Sequence, residues 1–178
     1  MSRNRYVGDY HLADSLDERG RIRTEVEYVG DLYSFIQEPE TVNSAKKRLL
    51  CLCAMGWLAY FAALIPVSTA GRTIYSAVPF VFIAVPLGLL TAVVLEIRRQ
   101  KERFLHRYAD RIDNRFPASG VFIIILACIS LAGEAVNLIR GLTLQSGDLL
   151  FSGCAVLLFL DGIIALRTGK ALKCRKVS

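Results

Sequence analysis

Four polar side chains stand where apolar neighbours make them costly: Ser130, Glu134 and Asn137 in one hydrophobic run, and Asp161 in the next. Offsets of four and seven residues return to nearly the same side of a helix, so the first three share a face. Asp161 shares its own face with Cys154 and Ala165. An ionised acid at the centre of a membrane helix costs about 2.5–3.5 kcal/mol on insertion scales. Both acids are therefore expected to face the bundle interior or a water-filled cavity, in ionised or protonated form. Two chemistries follow from that placement. The acids can hydrogen-bond helices to one another, which is the preferred expectation, or they can carry protons or cations. Glu134 is the stronger candidate for the second role, because Ser130 and Asn137 extend its face into a polar stripe. Counted from the run ends, Glu134 lies toward the outside near Arg140 and Asp161 toward the cytoplasm near Arg167. The two acids are not expected to touch, and each has an arginine six residues on as a snorkelling partner.

Other reactive residues offer less. Cys51 and Cys53 lack the two-residue gap of common zinc and redox pairs, and His11 and His106 are remote from them in the sequence. No metal or other cofactor is expected. Of the five cysteines none falls in an outside loop, so all are expected as free thiols in helix packing. The chain shows no nucleophile elbow, phosphate loop or paired catalytic carboxylates, and a non-enzymatic role is expected.

The elements that hold these residues are long and apolar. Hydrophobic residues make up 53% of the 178 and are pooled into four runs, 49–66, 74–95, 118–139 and 149–166. Each run approaches or exceeds the roughly 18 residues needed to span a hydrocarbon core. A soluble bundle would need a polar stripe on every helix, and 121–132 has only Ser130 and Cys128. Lys and Arg number eight before the first run, one in the first loop, seven in the middle loop, one in the third loop and five in the tail. The positive-inside rule then puts both termini and the middle loop in the cytoplasm of a cell-membrane protein. The net charge of +6 follows from topology and anionic headgroups, so nucleic acid is not expected as a partner. The expected partners are the lipid bilayer and a protein, either a different one or a second copy.

Segment 1–45 is polar, without the apolar core of a signal peptide. Tyr6-Val7-Gly8-Asp9-Tyr10 recurs as Tyr28-Val29-Gly30-Asp31-Leu32-Tyr33, and Ile22, Thr24, Val26 and Tyr28 alternate with charged residues as in a half-exposed strand. A β-hairpin is expected, 5–12 against 21–29, turning at Asp17-Glu18-Arg19-Gly20. The alternative is a disordered tail. Glu38-Pro39-Glu40-Thr41 then opens a helix that runs into the first span.

Within the spans, Gly56, Ala59 and Ala63 allow close approach, and Trp57 should face the interior and find an acceptor. Ala84, Gly88 and Ala92 form a smooth stripe, and Pro86 should break its helix by failing to donate to Phe82. Such a break can line a transport site, but packing is the preferred role. In the middle loop 98–116, Phe104, Tyr108, Ile112 and Phe116 recur every four residues opposite Arg103, Arg107, Asp110 and Arg111. That pattern predicts an interfacial amphipathic helix continuing from the second span and ending before Pro117. Tyr6, Tyr10 and Tyr28 of the hairpin and Phe104, Tyr108 and Ile112 of the loop form the candidate cytoplasmic docking surface.

The expected fold is all-α and membrane-spanning: a four-span up-and-down helical bundle over 46–166, a small N-terminal β-hairpin, an amphipathic helix between spans two and three, and a basic tail over 167–178. The expected function is that of a membrane module or accessory subunit acting by protein association. A small oligomeric transporter or channel using the intramembrane acids is the alternative, and a membrane enzyme a distant third.

Overall fold

A computed structural model describes residues 10–16, 22–65, 73–100, 103–140 and 146–177. The fold is mostly helical, with four helical spans long and apolar enough to cross a membrane. Helix α1 runs Pro39–Leu64. The second span is divided into α2 (Ile74–Phe82) and α3 (Ala84–Arg99). The third is α5 (Phe116–Ile139), preceded by the short α4 (His106–Asp110), and the fourth is α6 (Ser146–Gly169). Each span packs on its sequence neighbours and α6 returns to α1, which closes an up-and-down bundle.

Local chemistry explains where these helices begin and break. Pro39 occupies the first turn of α1, where its missing N–H is no loss, and Glu40 lies at the positive end of the helix dipole. The division at Ile83 falls three residues before Pro86, which has no N–H to offer Phe82. Ile83 instead donates to Phe80 at 3.0 Å, and the α-helical pattern resumes with Leu87 donating to Ile83 at 3.1 Å. The interior is lined by a narrow seam from each helix; on α1 it is Val42, Ala45, Leu49, Cys53, Gly56, Tyr60 and Ala63. Facing outward are Leu58, Phe61, Phe122 and Leu149, each more than half exposed. An outer shell this apolar calls for lipid around it.

The middle loop departs from expectation. Helix α3 stops at Arg99 and Gln100 is extended, so the second span does not continue helically into the loop. A short strand β4 (Arg103–Leu105) follows, and the chain becomes helical only from His106. Nor does the helix end before Pro117. A π-helical turn, Arg111–Arg115, carries α4 straight into α5, with the Phe116 N–H donating to Arg111 five residues back. The widened turn shifts the hydrogen-bond register at the point where Pro117 cannot donate, so the proline is absorbed and the helix continues.

Three short extended segments meet at one end of the bundle. Strand β3 (Leu32–Phe35) lies between β4 and β5 (Cys174–Val177) in an antiparallel sheet. Tyr33 is opposite Phe104 on one side and Lys176 on the other. Phe35 packs on Phe104 with ring centroids 4.8 Å apart, and Tyr33 stacks on His106 at 5.3 Å. Lys46 of α1 donates to the Gln100 carbonyl at 2.9 Å and lies 5.1 Å from the centre of the Phe35 ring, tying α1 to the negative end of α3 and to the sheet.

Separately, β1 (Tyr10–Leu16) and β2 (Ile22–Tyr28) pair antiparallel with Tyr10 opposite Tyr28. The second Tyr-Val-Gly-Asp copy thus marks the connection from β2 to β3. The expected turn at 17–20 and the first half of the expected strand 5–12 lie outside the described residues.

Candidate functional site

The polar groups buried between the apolar spans fall into two clusters, one at each end of the bundle interior. The first is built by α2, α5 and α6 at the end away from the sheet. Proline explains why α2 offers polar atoms there: Pro79 cannot donate to the Tyr75 carbonyl, so that oxygen is available within a helix turn. Gly133 of α5 presses against it so closely that an added Cβ would lie 2.7 Å from the Tyr75 oxygen. This approach brings Ser130 and Asn137, which flank Gly133 on α5, onto α2. Ser130 Oγ donates to the Ser76 carbonyl at 3.0 Å. Asn137 Nδ2 donates to Thr73 Oγ1 at 2.9 Å and reaches Ser76 Oγ at 3.4 Å, and the two hydroxyls are 3.1 Å apart.

Glu134 shares this cluster and is 5% exposed, with Oε2 making no hydrogen bond among the described residues. It does not pair with Arg140, whose guanidinium lies 5.8 Å from the Tyr75 ring centre. Six residues advance a helix by one full turn and two-thirds of another, which carries the arginine off the acid's face. Glu134 instead lies within electrostatic range of Asp148, in the first turn of α6 and only 2% exposed. Sequence reasoning missed Asp148. It precedes the apolar run by one residue, and an acid in a first helical turn is ordinarily a solvated partner of the dipole.

The second cluster surrounds Asp161 toward the sheet end. Asp161 is 6% exposed, and neither carboxylate oxygen has a hydrogen-bond partner among the described residues. Arg167 is no partner, again because it lies off the face. Space for the carboxyl comes from Gly56 of α1: an added Cβ there would lie 2.9 Å from Oδ2 and 3.0 Å from Leu87. Trp57, the residue after Gly56, donates through Nε1 to Thr91 Oγ1 at 3.1 Å, and Thr91 in turn donates to the Leu87 carbonyl at 2.8 Å. The interior acceptor expected for the indole is this hydroxyl.

The clusters do not meet. Between their levels lie Phe80, Ile83, Ala127, Phe151, Ala155 and Leu158, each 3% exposed or less. Tyr60 stacks on Phe80 with centroids 5.4 Å apart, and Phe80 packs on Phe151 at 4.7 Å. The Tyr60 hydroxyl in this layer is taken up by the Val81 carbonyl at 3.3 Å, so an ion crossing it would be stripped of water with little to replace it.

The residues expected to form a cytoplasmic docking surface are placed differently. Phe104 is 1% and Ile112 6% exposed, both in the core, and Tyr108 is half-buried. Among the described residues, the N-terminal segment that meets Phe104 is β3, which pairs with β4 on one edge and β5 on the other. Tyr10 and Tyr28 are cross-strand neighbours; Tyr6 lies outside the described residues. The stripe Ala84, Gly88, Ala92 is used within the chain only at Ala84, which packs on the core; nothing comes within 4 Å of a Cβ built on Gly88, and Ala92 is exposed. Close helix contact occurs instead between α5 and α6, where Gly162 lies against the Gly120 carbonyl, a pairing that no single run revealed.

No protein family matches this sequence, and neither does any curated protein or solved structure.

Proposed function

We propose that the chain is a non-enzymatic module of the cell membrane that acts by associating with a protein partner or with a second copy of itself. The observation that carries this is the hairpin β1–β2: among the described strands it pairs only with itself, apart from the sheet that caps the bundle. A two-stranded ribbon is marginal alone and has two outer edges that can accept a further strand. The outward positions Gly88 and Ala92 supply a second surface within the membrane, smooth enough for another helix. With the basic segments at the sheet end, the positive-inside rule places hairpin, sheet and tail in the cytoplasm. Transport is disfavoured by the apolar layer between Glu134 and Asp161.

Affinity purification of the tagged full chain from native membranes, followed by mass spectrometry, tests the proposal. The expected result is one stoichiometric partner, or a discrete oligomer, that is lost when residues 1–29 are removed or Gly88 is replaced by Ile. A lone monomer with cation-dependent flux in liposomes, abolished by Glu134→Gln, would replace association with transport.

A further inference from the structure

The break at Ile83 has an effect on the outer surface of the bundle. Below it, α3 and α5 enclose a groove of about 650 Å³ that opens sideways between the two helices. Its walls include Val85, Pro86, Leu89, Phe122 and Leu126, and Val85, Leu89 and Phe122 are more than half exposed, as residues facing lipid should be. The groove runs from Phe82 to Glu96, about 20 Å at the rise of a helix. One leaflet of a hydrocarbon core is about 15 Å deep, so the groove extends from the interface through one leaflet.

Its sheet-end mouth is charged. Arg111 is paired with Glu96 there, which engages one nitrogen of the guanidinium and leaves its other donors unused by that carboxylate. Arg115 also lines the mouth, is exposed, and has no ion pair among the described residues. Two arginines and one glutamate leave a net positive mouth above an apolar slot, with Ser119 beside it.

We propose that this groove binds one anionic glycerophospholipid, an acyl chain lying along Pro86, Leu89 and Phe122 and the phosphate held by Arg115 and the outer edge of Arg111. Guanidinium groups match phosphate oxygens in a bidentate fork, and basic sites between helices at the cytoplasmic surface select anionic headgroups. The volume suits a single ligand chain, within the about 300–1,000 Å³ typical of ligand sites. The proposal rests on the bundle's lying in a bilayer, but not on what partner the hairpin takes.

The test is native mass spectrometry of the full chain released from mixed micelles that hold equal amounts of phosphatidylglycerol and phosphatidylcholine with identical acyl chains. One retained phosphatidylglycerol is expected, favoured about fivefold, the ratio one arginine at the membrane surface supplies. Arg115→Gln should remove the preference and keep a lipid bound. Leu89→Trp, on an exposed face where folding is little affected, should fill the slot and remove retention of either lipid. Arg98→Gln, at the same end but off the groove, should change nothing. Equal retention of both lipids by the parent chain, displacement of the lipid by free inorganic phosphate, a second copy of the chain in place of lipid, or equal loss of preference in Arg98→Gln would each overturn the proposal. Because the readout is lipid retention by folded chain, its failure is distinct from failure to find a protein partner.

Discussion

At the scale of single residues, the two clusters differ in how completely their polar atoms are used. Asn137 spans α5 to α2 through Thr73 and Ser76. Asn137→Ala should cost about 0.6–2 kcal/mol, the range measured for interhelical hydrogen bonds in membranes, read by thermal unfolding in detergent. Asp161 makes no such bond among the described residues. Its replacement by Asn, nearly isosteric and uncharged, should leave unfolding unchanged or raise its midpoint, because an unpartnered acid in an apolar site costs more than an amide. A marked destabilisation by Asp161→Asn would show that the acid has a partner in the membrane. Outside the spans, the Cys174 thiol is pushed up to about 12, first by burial and then by the Asp113 carboxylate. The folded chain holds this proton more tightly than the unfolded one. The stabilisation is therefore full below the ordinary value of 9.0 and is lost as pH rises toward 12. Iodoacetamide at about pH 8.5 should leave Cys174 unmodified in the native chain and alkylate it rapidly once unfolded, as peptide mass spectrometry would read.

At the scale of elements, glycine spacing separates helices that must touch from helices that need not. Gly133→Ala places a methyl group 2.7 Å from the backbone oxygen of Tyr75, and backbone cannot swing aside as a side chain can. The substitution should cost about 1–3 kcal/mol and release the Ser130 and Asn137 bonds, since α5 must back away from α2. Gly88→Ala meets open space and should be neutral or stabilising by up to about 1 kcal/mol. Comparable losses for the two substitutions, measured by unfolding in the same detergent, would contradict this packing. The break at Ile83 and the π-helical turn at Arg111–Arg115 show two outcomes of one deficit. A missing proline N–H divides the second span at Ile83, ahead of the buried Pro86, and is taken up by a widened turn ahead of Pro117. Arg111, inside that turn, is held by Glu96 across the gap to α3.

At the scale of the whole molecule, the sheet β4-β3-β5 ties the N-terminal segment, the middle loop and the tail into one cap. Removing residues 174–178 should free one edge of β3 and speed amide exchange at Ile36, which now donates to Lys173 at 3.1 Å, while the four helices persist by circular dichroism. Unchanged exchange there would mean that the cap holds without β5. Much of this molecule was legible in its sequence. The four spans follow from pooled hydrophobicity, the start of α1 from Glu38-Pro39-Glu40, the break near Pro86 from its missing donor, and the need of Trp57 for an acceptor from the indole itself. These are local properties, set by a residue and its near neighbours along one chain segment. The pairing of Tyr33 with both Phe104 and Lys176 was not legible, nor was the approach of Asp148 to Glu134. Strands of three and four residues carry too little periodicity to announce themselves, and which distant segments become neighbours is decided only once helix packing has gathered their ends. The same holds for the amphipathic loop face. Its apolar period is real, but whether lipid, the hairpin or β3 would cover Phe104 depended on which partner could also satisfy its backbone, and only the tertiary structure brought β3 there.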